Sequence, residues 1–112
     1  MAKPATRAYS RYSQDAITLL GQLIRRARIE RKLTVAELAE RAGMTRGLVQ
    51  RIEKGDPGCS LGAVFEAAAV LGIRLFDAGR ATLSDALGTS AAMLTLLPKA
   101  VRSSSIKAKD DF

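Results

Sequence analysis

No histidine or tryptophan occurs among the 112 residues, and cysteine occurs once. With Cys59 alone and no histidine, the chain can build neither a disulfide framework nor a histidine/cysteine metal site of its own, so no cofactor is expected. The carboxylates are scattered, with no glycine-rich phosphate loop beside them, which argues against an enzyme. Aromatic residues make up 4%. Tyr9, Tyr12, Phe65, Phe76 and Phe112 form no platform on which RNA bases would stack. The apolar mass is instead leucine, alanine, isoleucine and valine, which suits helix packing better than a β-sandwich, so the expected fold is all-α. No apolar run reaches the length of a membrane span, and the opening MAKPATRAYSRYS lacks the apolar stretch of a signal peptide. A cytoplasmic, nucleoid-associated protein with no membrane partner is the expectation, and a free thiol is at home there.

Positive charge is plentiful. Eighteen Lys and Arg against eleven Asp and Glu give a formal charge of +7, and the isoelectric point is near 10.2. Such an excess repels itself unless a polyanion meets it, and nucleic acid is the fitting partner. A length of 112 residues with 47% hydrophobic content allows one small domain with a modest core.

Residues 1–12 contain Lys3, Arg7 and Arg11 and no acid, and read as a flexible basic arm. A folded domain over residues 13–77 is expected to follow. Its first helix is expected from about Ser13 or Gln14 to Lys32, burying Ile17, Leu20, Leu23, Ile24 and Ala27. Arg25, Arg26, Arg28, Arg31 and Lys32 load the end of that helix, where positive charge complements its dipole. After a Gly55-Asp56-Pro57-Gly58 loop, Ser60 caps a helix reaching Leu71, with Val64, Ala67, Ala68 and Leu71 inward and Gly72 as its stop. The segment Ile73-Arg74-Leu75-Phe76 either pairs as a short strand across a two-fold axis or tucks under the bundle. Residues 78–98 form a helical extension, broken or restarted at Gly88-Thr89-Ser90 and ended by Pro98. Its leucines serve either a dimer interface or intramolecular packing. Residues 99–112 have the composition of a disordered tail.

The most specific signal is TVAELAERAGMTRGLVQRIEK, residues 34–54. Thr34 and Glu37 make a capping box, Leu38, Ala39 and Ala42 the apolar stripe of a short helix, and Gly43 its left-handed stop. Thr45 caps a second helix with Leu48, Val49 and Ile52 inward and Arg46, Gly47, Gln50 and Arg51 outward. Two short helices joined by a tight turn, with the small Ala39 permitting close approach, are the helix-turn-helix pattern that reads DNA through the major groove.

Over residues 21–72 the chain resembles the Xre group of bacterial and phage repressors, with Ala39, Gly43, Val49 and Ile52 at the family's packing positions and RIEKG closing its recognition helix. The resemblance implies a five-helix, phage-repressor-like domain that binds a palindromic operator in double-stranded DNA as a homodimer. Carried over to this chain, it implies base reading by Arg46, Gly47 and Arg51 with Gln50 beside them. Phosphates would be held by Thr34, Thr45, Lys54 and the amides at the two helix starts. For Gly47 the alternatives are close approach of the backbone to the bases or a glycine merely tolerated near a helix end. Val35 departs from the family, which usually has a glutamine there to brace a phosphate and a base reader. Arg28 and Glu53 fall where these repressors keep a partly buried ion pair.

The ending gives a second resemblance. LTLLPKAVR, a charged linker and a terminal Asp-Phe are similar to HipB-like antitoxins encoded beside HipA-type kinase toxins. This implies a repressor that controls its own operon and neutralises a HipA-like kinase partner, with Phe112 as an apolar anchor; a stand-alone Xre-family repressor is the alternative. Ser103, Ser104 and Ser105 read either as substrates of such a kinase or as a serine-rich linker.

Overall fold

A computed structural model describes residues 8–76 and 79–101. Among them lie five α-helices and no β-strand: α1 (Arg11–Glu30), α2 (Val35–Ala42), α3 (Arg46–Glu53), α4 (Leu61–Val70) and α5 (Arg80–Leu94). The chain divides into two compact units, with α1 to α4 in the first and α5 in the second.

Each of the first four helices starts where a hydroxyl satisfies an otherwise orphaned amide. Ser10, Thr34, Thr45 and Ser60 accept from the backbone N–H groups of Ser13, Glu37, Leu48 and Ala63. At Thr34 the box is complete, since Glu37 Oε1 also accepts from the Thr34 amide at 2.8 Å. The cap at Ser10 corrects the expected start of α1. The helix begins at Arg11, not at Ser13 or Gln14, so Arg11 and Tyr12 belong to it and not to a basic arm. It also ends at Glu30, short of Lys32, which turns left-handed at φ 59°. The amides of Lys32 and Leu33 then close on Ile29 and Arg28.

The core is one cluster: Ile24 and Ala27 of α1, Leu38 and Ala39 of α2, Val49 and Ile52 of α3, Ala67 and Ala68 of α4, and Leu71 after it. Helix α2 packs on both α3 and α4, and α1 on α3. Leu20, Leu48 and Val64 pack against its margin, and Ile17 and Ala42 are half-buried. Leu23 was expected inside but is exposed, because the face of α1 that meets α3 is centred on Gly21, Ile24 and Ala27. A Cβ on Gly21 would collide with the carbonyl oxygen of Ile52, so α1 crosses α3 backbone to backbone at that point. Within one copy Ile73 and Leu75 pack against the core, while Phe76 is exposed. Cys59 packs there too, and desolvation raises its thiol above the ordinary range, away from thiolate chemistry.

In the second unit, α5 runs unbroken through Gly88-Thr89-Ser90, correcting the expected break. One glycine costs a helix about 1 kcal/mol, and flanking alanines and leucines offset it. The helix also stops earlier than expected, with Thr95 as its cap and its hydroxyl on Ala92 O at 2.6 Å, before Pro98 is reached. No residue of α5 is buried. Phe112 and Ser103 to Ser105 lie outside the described residues.

Candidate nucleic-acid interface

Because Leu48, Val49 and Ile52 turn one face of α3 inward, the opposite face is left to Arg46, Gly47, Gln50 and Arg51, and all four are exposed. The left-handed Gly43, at φ 70°, reverses the chain so that α3 starts beside the start of α2. The two helix starts therefore share one shallow concavity, lined by Thr34, Val35, Ala36, Arg46, Gly47 and Gln50. A second concavity adjoins it through Val35 and Gln50 and adds Arg25, Arg28, Glu53 and Lys54. Thr45 caps α3 at the edge of this surface. Arg51 does not line either concavity. It is turned to the following loop, where Asp56 Oδ2 accepts from its Nε at 2.7 Å.

The charge of the surface is positive. Glu53 is its one acid, and that carboxylate is engaged by Arg28 Nε at 2.7 Å and Nη2 at 3.0 Å. Arg28 Nη1 donates in addition to Leu33 O at 2.9 Å, and the carboxylate raises the guanidinium above its ordinary value. With that pair internally neutral, Arg25, Arg46 and Lys54 supply the net field.

The donors fit an anion. Thr34 and Thr45 use their oxygens to accept from helix amides, which leaves each O–H to donate outward. The amides of Val35, Ala36, Arg46 and Gly47 make no hydrogen bond among the described residues, as first-turn amides of a helix do. Two helix starts with open amides, two hydroxyl donors and a cationic rim offer a phosphate several contacts at once. No group of three or more His, Cys, Asp or Glu that could hold a metal occurs among the described residues.

One family model, described as a helix-turn-helix domain, matches residues 19–83, more than half of the 112-residue chain. The chain belongs to this helix-turn-helix domain family. No curated protein matches it. The helix-turn-helix is α2, the Gly43 turn and α3, and the protein is a DNA-binding regulator of that class. Among the described residues no helix is long and apolar enough to cross a membrane.

Sequence reasoning missed the tie between Arg51 and Asp56, although the loop carries a signal for it. Asp-Pro-Gly favours an aspartate that bonds the amide two residues on, and Asp56 Oδ1 does accept from the Gly58 N–H at 2.7 Å. Arg51 and then the Gly58 amide hold Asp56 below the ordinary carboxylate range. Glu37 is lowered by the backbone amide and then the hydroxyl of Thr34. A carboxyl depressed in the folded state contributes stability above its unfolded pKa, and that contribution is lost as pH falls through the folded value. The melting temperature of the first unit is thus expected to be level from about pH 7 to 5 and to fall below about pH 4. Glu37→Gln and Asp56→Asn should each flatten that fall. A melting temperature unchanged down to pH 2.5, roughly a unit and a half below free Asp, would show that neither carboxylate matters.

Proposed function

We propose that the protein is a sequence-specific transcriptional repressor that binds a palindromic operator in double-stranded DNA as a homodimer. The observation that carries this reading is the convergence of Thr34, Arg46, Gly47 and Gln50 on one exposed concavity with open helix amides beside Arg25 and Lys54. In this reading Arg46 and Arg51 donate to guanine O6 and N7, Gln50 pairs with adenine, and Gly47 lets the backbone come close. Thr34, Thr45 and Lys54 hold phosphates, while Arg28 and Glu53 keep α1 and α3 in register.

The second copy meets the first through α5, where Leu83, Leu87, Ser90 and Leu94 follow the alternating spacing of a helix–helix seam. The carboxyl-terminal resemblance supports a narrower role, an antitoxin that represses its own operon and neutralises a HipA-like kinase toxin through Phe112. The alternative is a stand-alone repressor. Co-purification from the native host separates them: recovery of a kinase, identified by mass spectrometry, supports the antitoxin, and its absence leaves the repressor alone.

Footprinting should give two half-sites centred about 10 base pairs apart. A single unsymmetrical site bound by a monomer would refute the dimeric reading. Arg46→Ala should cost about 1–3 kcal/mol on the preferred duplex and relax the preference at one base, whereas Lys54→Ala should weaken all sequences alike and lower the salt slope by about one. Equal losses on preferred and random DNA for Arg46→Ala would remove it from the readers.

A further inference from the structure

The turn that ends α3 sets an acid against one of the proposed base readers. Gly55, left-handed at φ 78°, donates to Ile52 O at 3.0 Å, and the Asp56 amide reaches back to Arg51 O at 3.1 Å. This closure stacks the residue after the glycine on the residue a turn and a half before it, a contact usually made by two apolar side chains. Here the two positions hold Asp56 and Arg51. The carboxylate is itself pinned, since one oxygen accepts from Arg51 and the other from the Gly58 amide. Gly58 makes the room: a Cβ there would stand 3.2 Å from Asp56 Oδ1 and 3.3 Å from Arg51 Nη2.

Only Nε of Arg51 is committed. Its two terminal nitrogens make no hydrogen bond among the described residues, and its side chain stays 53% exposed within the pair. An arginine braced through Nε by a fixed carboxylate keeps its terminal nitrogens as a planar fork, the shape that matches guanine O6 and N7.

We propose that Asp56 is a positioning residue that presets Arg51 as a guanine reader. The proposal rests on the reading of Arg51 given above. An exposed ion pair adds little to stability; its effect here is that Arg51 has fewer rotamers to lose when it meets a base. The opposite role is a distinct outcome: an acid that only repels phosphates would weaken binding to every sequence.

The test starts by selecting a preferred duplex from a randomised library with the full chain. Binding is then measured to that duplex, to versions with each guanine replaced, and to random duplex. Asp56→Asn is expected to lower the preference for one guanine by roughly 3–10-fold, part of the discrimination a bidentate contact provides. It should leave random duplex within about twofold, and it should add nothing in an Arg51→Ala background. Asp56→Ser, whose hydroxyl keeps the turn bond to Gly58 without the charge, should behave alike if Asp56→Asn melts early. Tighter binding to all duplexes with the guanine preference intact would overturn the proposal in favour of a charge brake. Uniform loss would make Asp56 structural. An Arg51→Ala variant with unaltered preference would remove both Arg51 and Asp56 from recognition, and if Arg46→Ala still relaxed the preference, the reading of the domain would survive.

Discussion

Replacing Glu53 by alanine is expected to cost the domain about 3–5 kcal/mol, the usual loss when one partner of a buried ion pair is removed. The side chains of Arg28 and Glu53 are only 11% and 7% exposed, and the guanidinium makes both of its carboxylate bonds to Glu53. Without Glu53 the buried charge keeps, among the described residues, only its bond to Leu33 O. A unit of this size has a total stability of roughly 4–10 kcal/mol, so the variant should be partly unfolded at 37 °C. Urea denaturation checks this, and a loss under about 1 kcal/mol would show the pair to be dispensable. The double change Arg28→Met with Glu53→Leu should recover most of the loss, because well-packed apolar groups do not have to be desolvated as ions do.

Gly21→Ala is the second large effect, and its sign opposes helix propensity. In an open helix position the change stabilises by about 1 kcal/mol, and Gly88→Ala, with nothing within 4 Å of the new methyl, should do so in α5. At Gly21 the added methyl meets backbone, the carbonyl oxygen of Ile52 together with Glu53 O at 3.1 Å, and no flexible side chain can give way. The helices must separate, an overpacking cost of about 1–3 kcal/mol net. Since α3 would move with that separation, DNA affinity should fall as well. A Gly21→Ala protein as stable as the parent would mean that α1 and α3 have slack at their crossing.

These residues also mark where local reading stops. The caps at Thr34, Thr45 and Ser60 and the stops at Gly43 and Gly72 are legible because each depends on a few neighbours in sequence. Ser10 obeys the same rule and shows α1 to be longer at its start, where polar residues had suggested an arm. Gly21 was not legible: what makes it glycine is a carbonyl 31 residues away, on a helix whose crossing point no periodicity gives. Leu23 failed for the same reason, since a stripe wide enough to hold it is narrower where two backbones touch. At the candidate interface, the outward set on α3 follows from which residues turn inward. The orientation of Arg51 follows instead from the loop, in which the sequence marks Asp56 only as part of a turn.

The eight residues of α3 span about 12 Å at 1.5 Å per residue, and base pairs stack about 3.4 Å apart. Laid in the major groove as proposed, the helix of one copy would address about four base pairs. A word of that length in a four-letter alphabet recurs every few hundred base pairs, so a lone reader would find thousands of equivalent addresses in a genome of about a million base pairs and could name none of them. In the homodimer proposed above two readers multiply their vocabularies, and the information needed to single out one operator then lies in the spacing between copies as much as in any side chain.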